Sequence, residues 1–434
     1  MTKKSVHINV HHVTRVEGHG NIVIDIESGS LQKVEWQVPE APRFFEAMVV
    51  GRNYTEIATI TSRICGICSI GHTFASLKAT EAAMGIGISE TTRALRELLL
   101  HGETLQSHLL HICYLAIPDF VRSPSVIPLI KTHKDVILIV TKLHRLSNEL
   151  CDIIGGRTTH PIRARVGHFS MVPSQKELET LKERLAAAIP DFKRLVDFIV
   201  TVSDALPPFE RETEYLALSN EKEYAFYDGE IMTTDIVRTI PVKDYRNVVN
   251  EFVVPQSTAK HGKFNRDSFM VGALARYNNN YKQLTPLALE IGIQLGLDRR
   301  NNNPYMNTIA QLVECVFAVE RSIDQINWLL DNPPVKETPA IVTKEGQGVG
   351  AVEVPRGILF HDYTYDSKGI LKKANCAIPT NLNHNNIQLD MEKLVPEYME
   401  KGKDELQFLL EMLVRAYDPC ISCSTHYLNV QFKE

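Results

Sequence analysis

RICGICSIGH occupies residues 63–72 and DPCISCSTH occupies residues 418–426, with only eight residues after it. Each stretch holds a Cys-x-x-Cys pair closed by a histidine, His72 in one and His426 in the other. Two residues between cysteines let both sulfurs reach one metal ion. The chain has eight cysteines, and two such pairs are more than random placement supplies. The remaining four (Cys113, Cys151, Cys315 and Cys376) stand singly and read as small buried apolar residues. Thiolates select soft or borderline ions such as zinc, iron, nickel and copper. A structural zinc site is the plain reading, and two features count against it. Zinc ribbons keep their cysteine pairs tens of residues apart, whereas Cys68 and Cys420 are 352 positions apart. Arg63, His72, Asp418 and His426 at fixed distances from the sulfurs also suit a reactive metal with organised polar surroundings. On chemistry alone a catalytic metal is favoured over a structural zinc, and both readings stay open.

The rest of the chain bounds the class. Its 434 residues are 44% apolar and 23% charged, an ordinary globular composition with material for a large core. A net charge of -5 offers no basic field to nucleic acid or to an anionic membrane. The first residues, MTKKSVHINVHH, lack the apolar stretch of a secretory signal. The longest apolar run, VILIV at 136–140, is far short of a membrane span. These features predict a soluble, cytoplasmic protein with no nucleic-acid partner and no membrane span.

VHINV, NIVIDIE and LQKVEWQV within the first forty residues alternate or cluster strand formers, with EGHG and ESGS as turns. From Thr92 onward helix dominates. Leu95, Leu98, Leu99, Leu105, Leu109 and Ile112 keep a helical period. KTHKDVILIVTKLHRLSNELCDII and SQKELETLKERLAAAIPDFKRLVDFIVTVSDAL read as helices, the second with a capping box from Ser174 and Glu177. PLALEIGIQLG, NTIAQLVECVFAVERSIDQINWLL and KDELQFLLEMLVRAYD add three more. GQGVG at 346–350 leads into an extended stretch rather than a helix, so it reads as a β-turn and not a nucleotide loop. The expected fold is mainly α (α+β): one domain over residues 1–434, with small antiparallel β portions at 1–40 and around 340–380.

The two cysteine motifs together resemble those of the large subunit of nickel–iron hydrogenases, RxCGxC near the start and DPCxxCxxH at the end. RVEGHG (15–20), RFFEAMVVGR (43–52), QSHLLHICYLAIPD (106–119), EVPRGILFH (353–361) and AIPT (377–380) match further family elements. The resemblance covers the whole chain. EFVVPQSTAKH, FMVGALAR and AYDPCISCS look closest to the cytosolic, nicotinamide-linked branch that includes the sulfhydrogenase alpha subunits. Within the same fold, the quinone-site subunit of complex I is a relative that has lost the nickel cysteines, and all four are present here.

The resemblance implies reversible cleavage of H2 and a helical large-subunit fold. It implies nickel on Cys65, Cys68, Cys420 and Cys423, with Cys68 and Cys423 bridging to an iron that carries cyanide and carbon monoxide. Cys420 would take the first proton and Glu17 would carry it onward. Glu46, the carbonyl of Cys376 and His426 would bind magnesium. Asp119, Pro355, Arg356 and Asp418 would form a polar canopy over the metal. Ile378, Pro379 and Thr380 would surround the cyanides, and His72 would donate to a cysteine sulfur. The four single cysteines show no iron–sulfur pattern. An iron–sulfur small subunit is therefore expected to receive the electrons, with flavin- and NAD(P)-binding diaphorase subunits beyond it. A maturation endopeptidase is expected to remove residues 427–434 after His426.

Overall fold

The computed structural model describes residues 5–297 and 300–425. Val6–Val10, Asn21–Glu27 and Ser30–Gln37 form an antiparallel three-stranded sheet, as their alternation predicts. Ile22, Ile24 and Ile26 point into the core from the middle strand while its other residues are half-buried or exposed. Trp36 anchors this sheet: it is fully buried, and its indole N–H donates to His384 Nδ1 at 2.9 Å on the helix Pro379–Tyr398.

Four long helices, Glu90–Leu110, Lys134–Gly155, Gln175–Val202 and Asn307–Asp331, pack side by side and supply a large share of the apolar core. Ser174 and Glu177 make the expected capping box. Glu90–Leu110 runs on into a π-helical turn, His111–Ala116. Among the described residues no helix is long and apolar enough to cross a membrane.

Gly346–Val354, Gly357–Tyr365 and Leu371–Ala377 form a second antiparallel sheet in the expected region. The GQGVG stretch is not a turn. It begins the first of these strands, and its glycines let that strand lie directly on the helix Ser69–Met84. A Cβ on Gly346, Gly348 or Gly350 would stand 2.2–2.3 Å from the helix backbone at Ala83, Ala79 or Ala75. A further four-stranded sheet lay outside the sequence expectation: Phe269–Met270, Glu214–Ser219, Glu230–Thr233 and Ile236–Ile240, in that order across the sheet.

These elements aim two segments at one place. The Ser69–Met84 helix starts immediately after Cys68. The two-residue turn Pro355–Arg356 joins the strands that end at Val354 and begin at Gly357. Gly357 takes φ +133, a value that disfavours any side chain, and allows that tight reversal.

Candidate metal centre

Cys65 follows the short turn Ser62–Ile64, and Cys68 sits at the N-terminus of the Ser69–Met84 helix. Cys420 and Cys423 flank the start and middle of the short turn Ile421–Ser424. The N-terminal segment brings the two pairs together. Glu17 bridges to Cys420 in parallel, its carbonyl accepting from Ile421 N at 3.0 Å and its carboxylate from Ser422 N at 3.1 Å. Arg43 N donates to Thr425 O at 2.6 Å. The Arg43 guanidinium then spans both cysteine loops, donating to Ile64 O and, at 2.7 Å, to Ser422 O.

The four sulfurs lie within 4.8 Å of one another, and Cys65 and Cys420 Sγ are 3.4 Å apart. All four residues are buried, at 1–5% exposure. Burial raises the Cys65 thiol, but sulfur contacts with Cys420, Cys423 and Cys68 and the charge of Arg356 outweigh it and hold Cys65 well below the ordinary thiol range. Its sulfur also accepts from Ile67 N at 3.3 Å and Cys68 N at 3.1 Å. Contact with Cys420 lowers Cys68, but contacts with Cys423 and Cys65, together with burial, carry it well above the ordinary value. Contact with Cys423 first, then with Cys65 and Cys68, raises Cys420, and burial pushes Cys423 up to about 11. Four sulfur donors crowded this closely repel one another as anions and suit one soft or borderline cation.

Arg356 faces this group from the hairpin turn. Its Nε donates to the Asp418 carbonyl at 2.7 Å, Nη2 to Asp418 Oδ1 at 2.7 Å and Nη1 to Ser107 Oγ at 3.1 Å. Burial opposes its charge, but Asp418, Cys420, Cys68 and Cys65 hold it raised well above its ordinary value. Asp418 adopts φ +50, a left-handed conformation Asp tolerates, and Gln311 Nε2 donates to its second carboxylate oxygen at 3.1 Å. Asp119, expected beside Arg356, makes its hydrogen bonds elsewhere: Arg415 donates to both its oxygens at 3.0 Å, and Arg15 also pairs with it. Ser107 takes the third side of Arg356 instead.

Thr380 Oγ1 accepts from Cys420 N at 3.1 Å, which leaves the hydroxyl proton free to donate. Ile378 and Pro379 lead into it at the start of the Pro379–Tyr398 helix, and Pro355 forms the turn with Arg356. His72 Nδ1 meets His361 Nε2 at 3.1 Å, and His361 Nδ1 meets the Tyr363 hydroxyl at 2.6 Å. Glu46 is buried and its Oε1 accepts from Cys376 N at 2.7 Å, so these two expected magnesium ligands are neighbours. His426 and residues 427–434 lie outside the described residues.

Sequence reading missed Glu103, Ser107 and Arg43. Glu103 is fully buried and accepts from Ile70 N at 2.7 Å and Gly71 N at 3.0 Å, capping the helix that follows Cys68. Burial pushes its carboxyl up to about 8. Glu103 and Ser107 are four apart on one helix, so they share the face turned to the cysteines. That spacing was visible, but nothing in the sequence said which face it was.

The comparisons with known proteins agree with this site. A model of the nickel-dependent hydrogenases matches residues 43–148 and 211–426, and a model described as HoxL-like matches residues 7–41. The chain is similar to sulfhydrogenase 1 subunit alpha of Pyrococcus furiosus, 34% identical over 428 residues and 98% of each chain. It is also similar to sulfhydrogenase 2 subunit alpha of the same organism, 31% identical over 424 residues, 98% of this chain and 100% of the relative. In fold it matches an NAD+-reducing nickel–iron hydrogenase in the H2-reduced state, with a TM-score of 0.88 over 98% of this chain and 100% of the other at 24% identity. Buried, convergent cysteines in the large-subunit fold and a family match over most of the sequence lead to one conclusion: the chain belongs to the nickel-dependent hydrogenase family, oxidoreductases that act on hydrogen.

Proposed function

We propose that this chain is the catalytic large subunit that cleaves H2 reversibly and heterolytically, with Cys65, Cys68, Cys420 and Cys423 holding nickel, and Cys68 and Cys423 shared with an iron that bears cyanide and carbon monoxide. The observation that carries the reading is the convergence of four buried sulfurs within 4.8 Å from opposite ends of the sequence. When bound, the nickel–iron pair supplies the site where hydrogen is polarised and its two electrons are held.

The residues then divide the remaining work. Cys420 Sγ receives a proton, and Glu17 carries it away. The main-chain bridge between Glu17 and Cys420, with the Ser422 N–H on the Glu17 carboxylate, supports that pairing. Arg356 keeps a fixed positive charge beside the sulfurs, and Asp418 and Ser107 hold its plane. Pro355, Ile378 and Pro379 would shape the room for the iron's diatomic ligands, and the Thr380 hydroxyl proton would donate to one of them. His72 tunes the cysteine side, and Asp119 steadies Arg415 three residues before Asp418. Glu46 and the Cys376 carbonyl, with His426, would hold magnesium; the contact between Glu46 and Cys376 N supports that grouping.

Cys113, Cys151, Cys315 and Cys376 are buried single thiols, so electrons leave the chain for an iron–sulfur small subunit. The family stretches named above favour diaphorase partners that bind flavin and NAD(P), in the cytoplasm, with a maturation endopeptidase acting after His426. Elemental analysis of the purified complex tests the core of the reading. About one nickel per chain, with iron in excess of it from the partner's clusters, and hydrogen–deuterium exchange activity support it; zinc alone would falsify it.

A further inference from the structure

A second arginine stands behind the first. Arg276, on the helix Ala273–Asn280, is fully buried, and its five N–H donors make five bonds. Nε and Nη2 donate to the two oxygens of Glu314 at 2.7 and 2.6 Å. Nη1 donates to Glu353 Oε2 at 2.8 Å and to the Val354 carbonyl at 2.9 Å, and Nη2 donates to the Pro355 carbonyl at 3.1 Å. Those carbonyls are the last two before Arg356. Both carboxylates are themselves tied down. Glu314 accepts from Tyr224 at 2.7 Å and meets His108 Nε2 at 2.8 Å, and Glu353 accepts from Leu218 N at 2.7 Å.

A buried ionic cluster contributes little to net stability, because well-packed apolar residues often do as well. Its use here is geometric. The turn has two residues, and its outer side chain must keep a guanidinium plane on Asp418 and Ser107. Its backbone needs an anchor on the opposite side. Lysine could not supply it, since one ammonium cannot span two carboxylates and two carbonyls in a plane.

We propose that Arg276 is a positioning residue for the hydrogenase reaction: its grip on the Val354 and Pro355 carbonyls fixes the turn that aims Arg356 at the four cysteines. The inference rests on the role given to Arg356 above.

The test uses the assembled enzyme. Arg276→Lys keeps the charge and removes the fork. Nickel and iron contents should match wild type, KM for hydrogen should not move, and kcat should fall roughly 10- to 100-fold, the loss expected when a catalytic group shifts by about 1 Å. Amide hydrogen exchange should quicken in the peptide spanning residues 350–360. Arg356→Lys is measured alone and combined with Arg276→Lys. If Arg276 acts through Arg356, the double variant loses no more than Arg356→Lys alone. Multiplicative losses, wild-type kcat in Arg276→Lys, or nickel lost in step with activity would each overturn the proposal. Full kcat in Arg356→Lys alone would overturn the role of Arg356, a failure visible in that single variant, and the proposal would fall with it. If Arg276→Lys does not accumulate, Arg276→Met with Glu314→Gln removes one buried charge of each sign and carries the same measurements.

Discussion

Gly348→Ala should damage the site from a distance. Gly348 lies on the strand Gly346–Val354, and a Cβ there would meet Ala83 N at 2.2 Å, Ala79 O at 2.3 Å and Ala82 C at 2.8 Å. Ordinary contact begins near 3.4 Å, so strand or helix must retreat by about 1 Å. All three neighbours are backbone atoms, which cannot swing aside. The cost therefore falls at the upper end of the overpacking range, about 3 kcal/mol. With unfolding entropy near 2.1 cal/mol/K per residue, 434 residues give about 0.9 kcal/mol/K, and Tm should drop by about 3 °C. Activity should suffer more. The helix begins after Cys68 and the strand ends at the Arg356 turn, so a displacement of about 1 Å enters the site from both sides and should lower kcat 10-fold or more. Gly87→Ala is the control, because nothing lies within 4 Å of a Cβ at that position. Scanning calorimetry and a hydrogen-uptake assay on both variants decide the matter. A Gly348→Ala enzyme with wild-type Tm and kcat would refute the reasoning.

Glu17→Gln preserves shape but removes the titrating oxygen, so metal content should hold while hydrogen–deuterium exchange falls at least 100-fold; full exchange would move the relay elsewhere. Cys65→Ser replaces a soft donor by a hard one and should cut nickel to about a tenth of wild type or less, whereas Cys315→Ser, at an isolated buried thiol, should keep it; elemental analysis reads both. Burial first, and the charge of Arg321 second, push His101 down to about 3 from 6.5. Its folded value is depressed, so the stability it contributes is present above pH 6.5 and is lost as pH falls toward 3. At pH 5 the loss is about 2 kcal/mol. His101→Phe keeps the edge-on packing against Phe226 and Phe317, and should gain that amount relative to wild type between pH 7.5 and pH 5 in denaturant titrations; a pH-independent difference would contradict it.

What the sequence disclosed has a physical pattern. The N-terminal strands and the Gln175–Val202 helix were legible because each has one buried and one wet face, and the helix has a local cap. The Ser69–Met84 helix was not legible: 14 of its 16 residues are buried, so no period separates inside from outside. The strand from Gly346 was misread for a related reason. Its glycines serve contact with a helix more than 260 residues earlier, and a local rule sees only a flexible run. The cysteine ligands were legible because their spacing is itself local. Their surroundings were not: Ser107, Glu103 and Arg43 are ordinary residues whose role comes from partners brought in by the fold.

Those partners also explain why the two ends of the sequence must meet before the site exists. Glu17 holds the Ser422 N–H across 405 positions, and Arg43 reaches Ser422 across 379. Contacts of such separation carry a loop-closure cost before they return any stability. The sulfurs add a second cost. Without a cation, burial and mutual contact make the Cys68, Cys420 and Cys423 protons harder to remove than an ordinary thiol's and the Cys65 proton easier. A soft divalent cation held by the four sulfurs would displace those protons, and its binding energy would also be energy for joining the two ends. Arg43 and Glu17 set where the C-terminal cysteines land, and the cation makes that landing favourable. The N-terminal sheet, through its Trp36 anchor, and the Arg43 clamp thus belong to the frame that places the second cysteine pair.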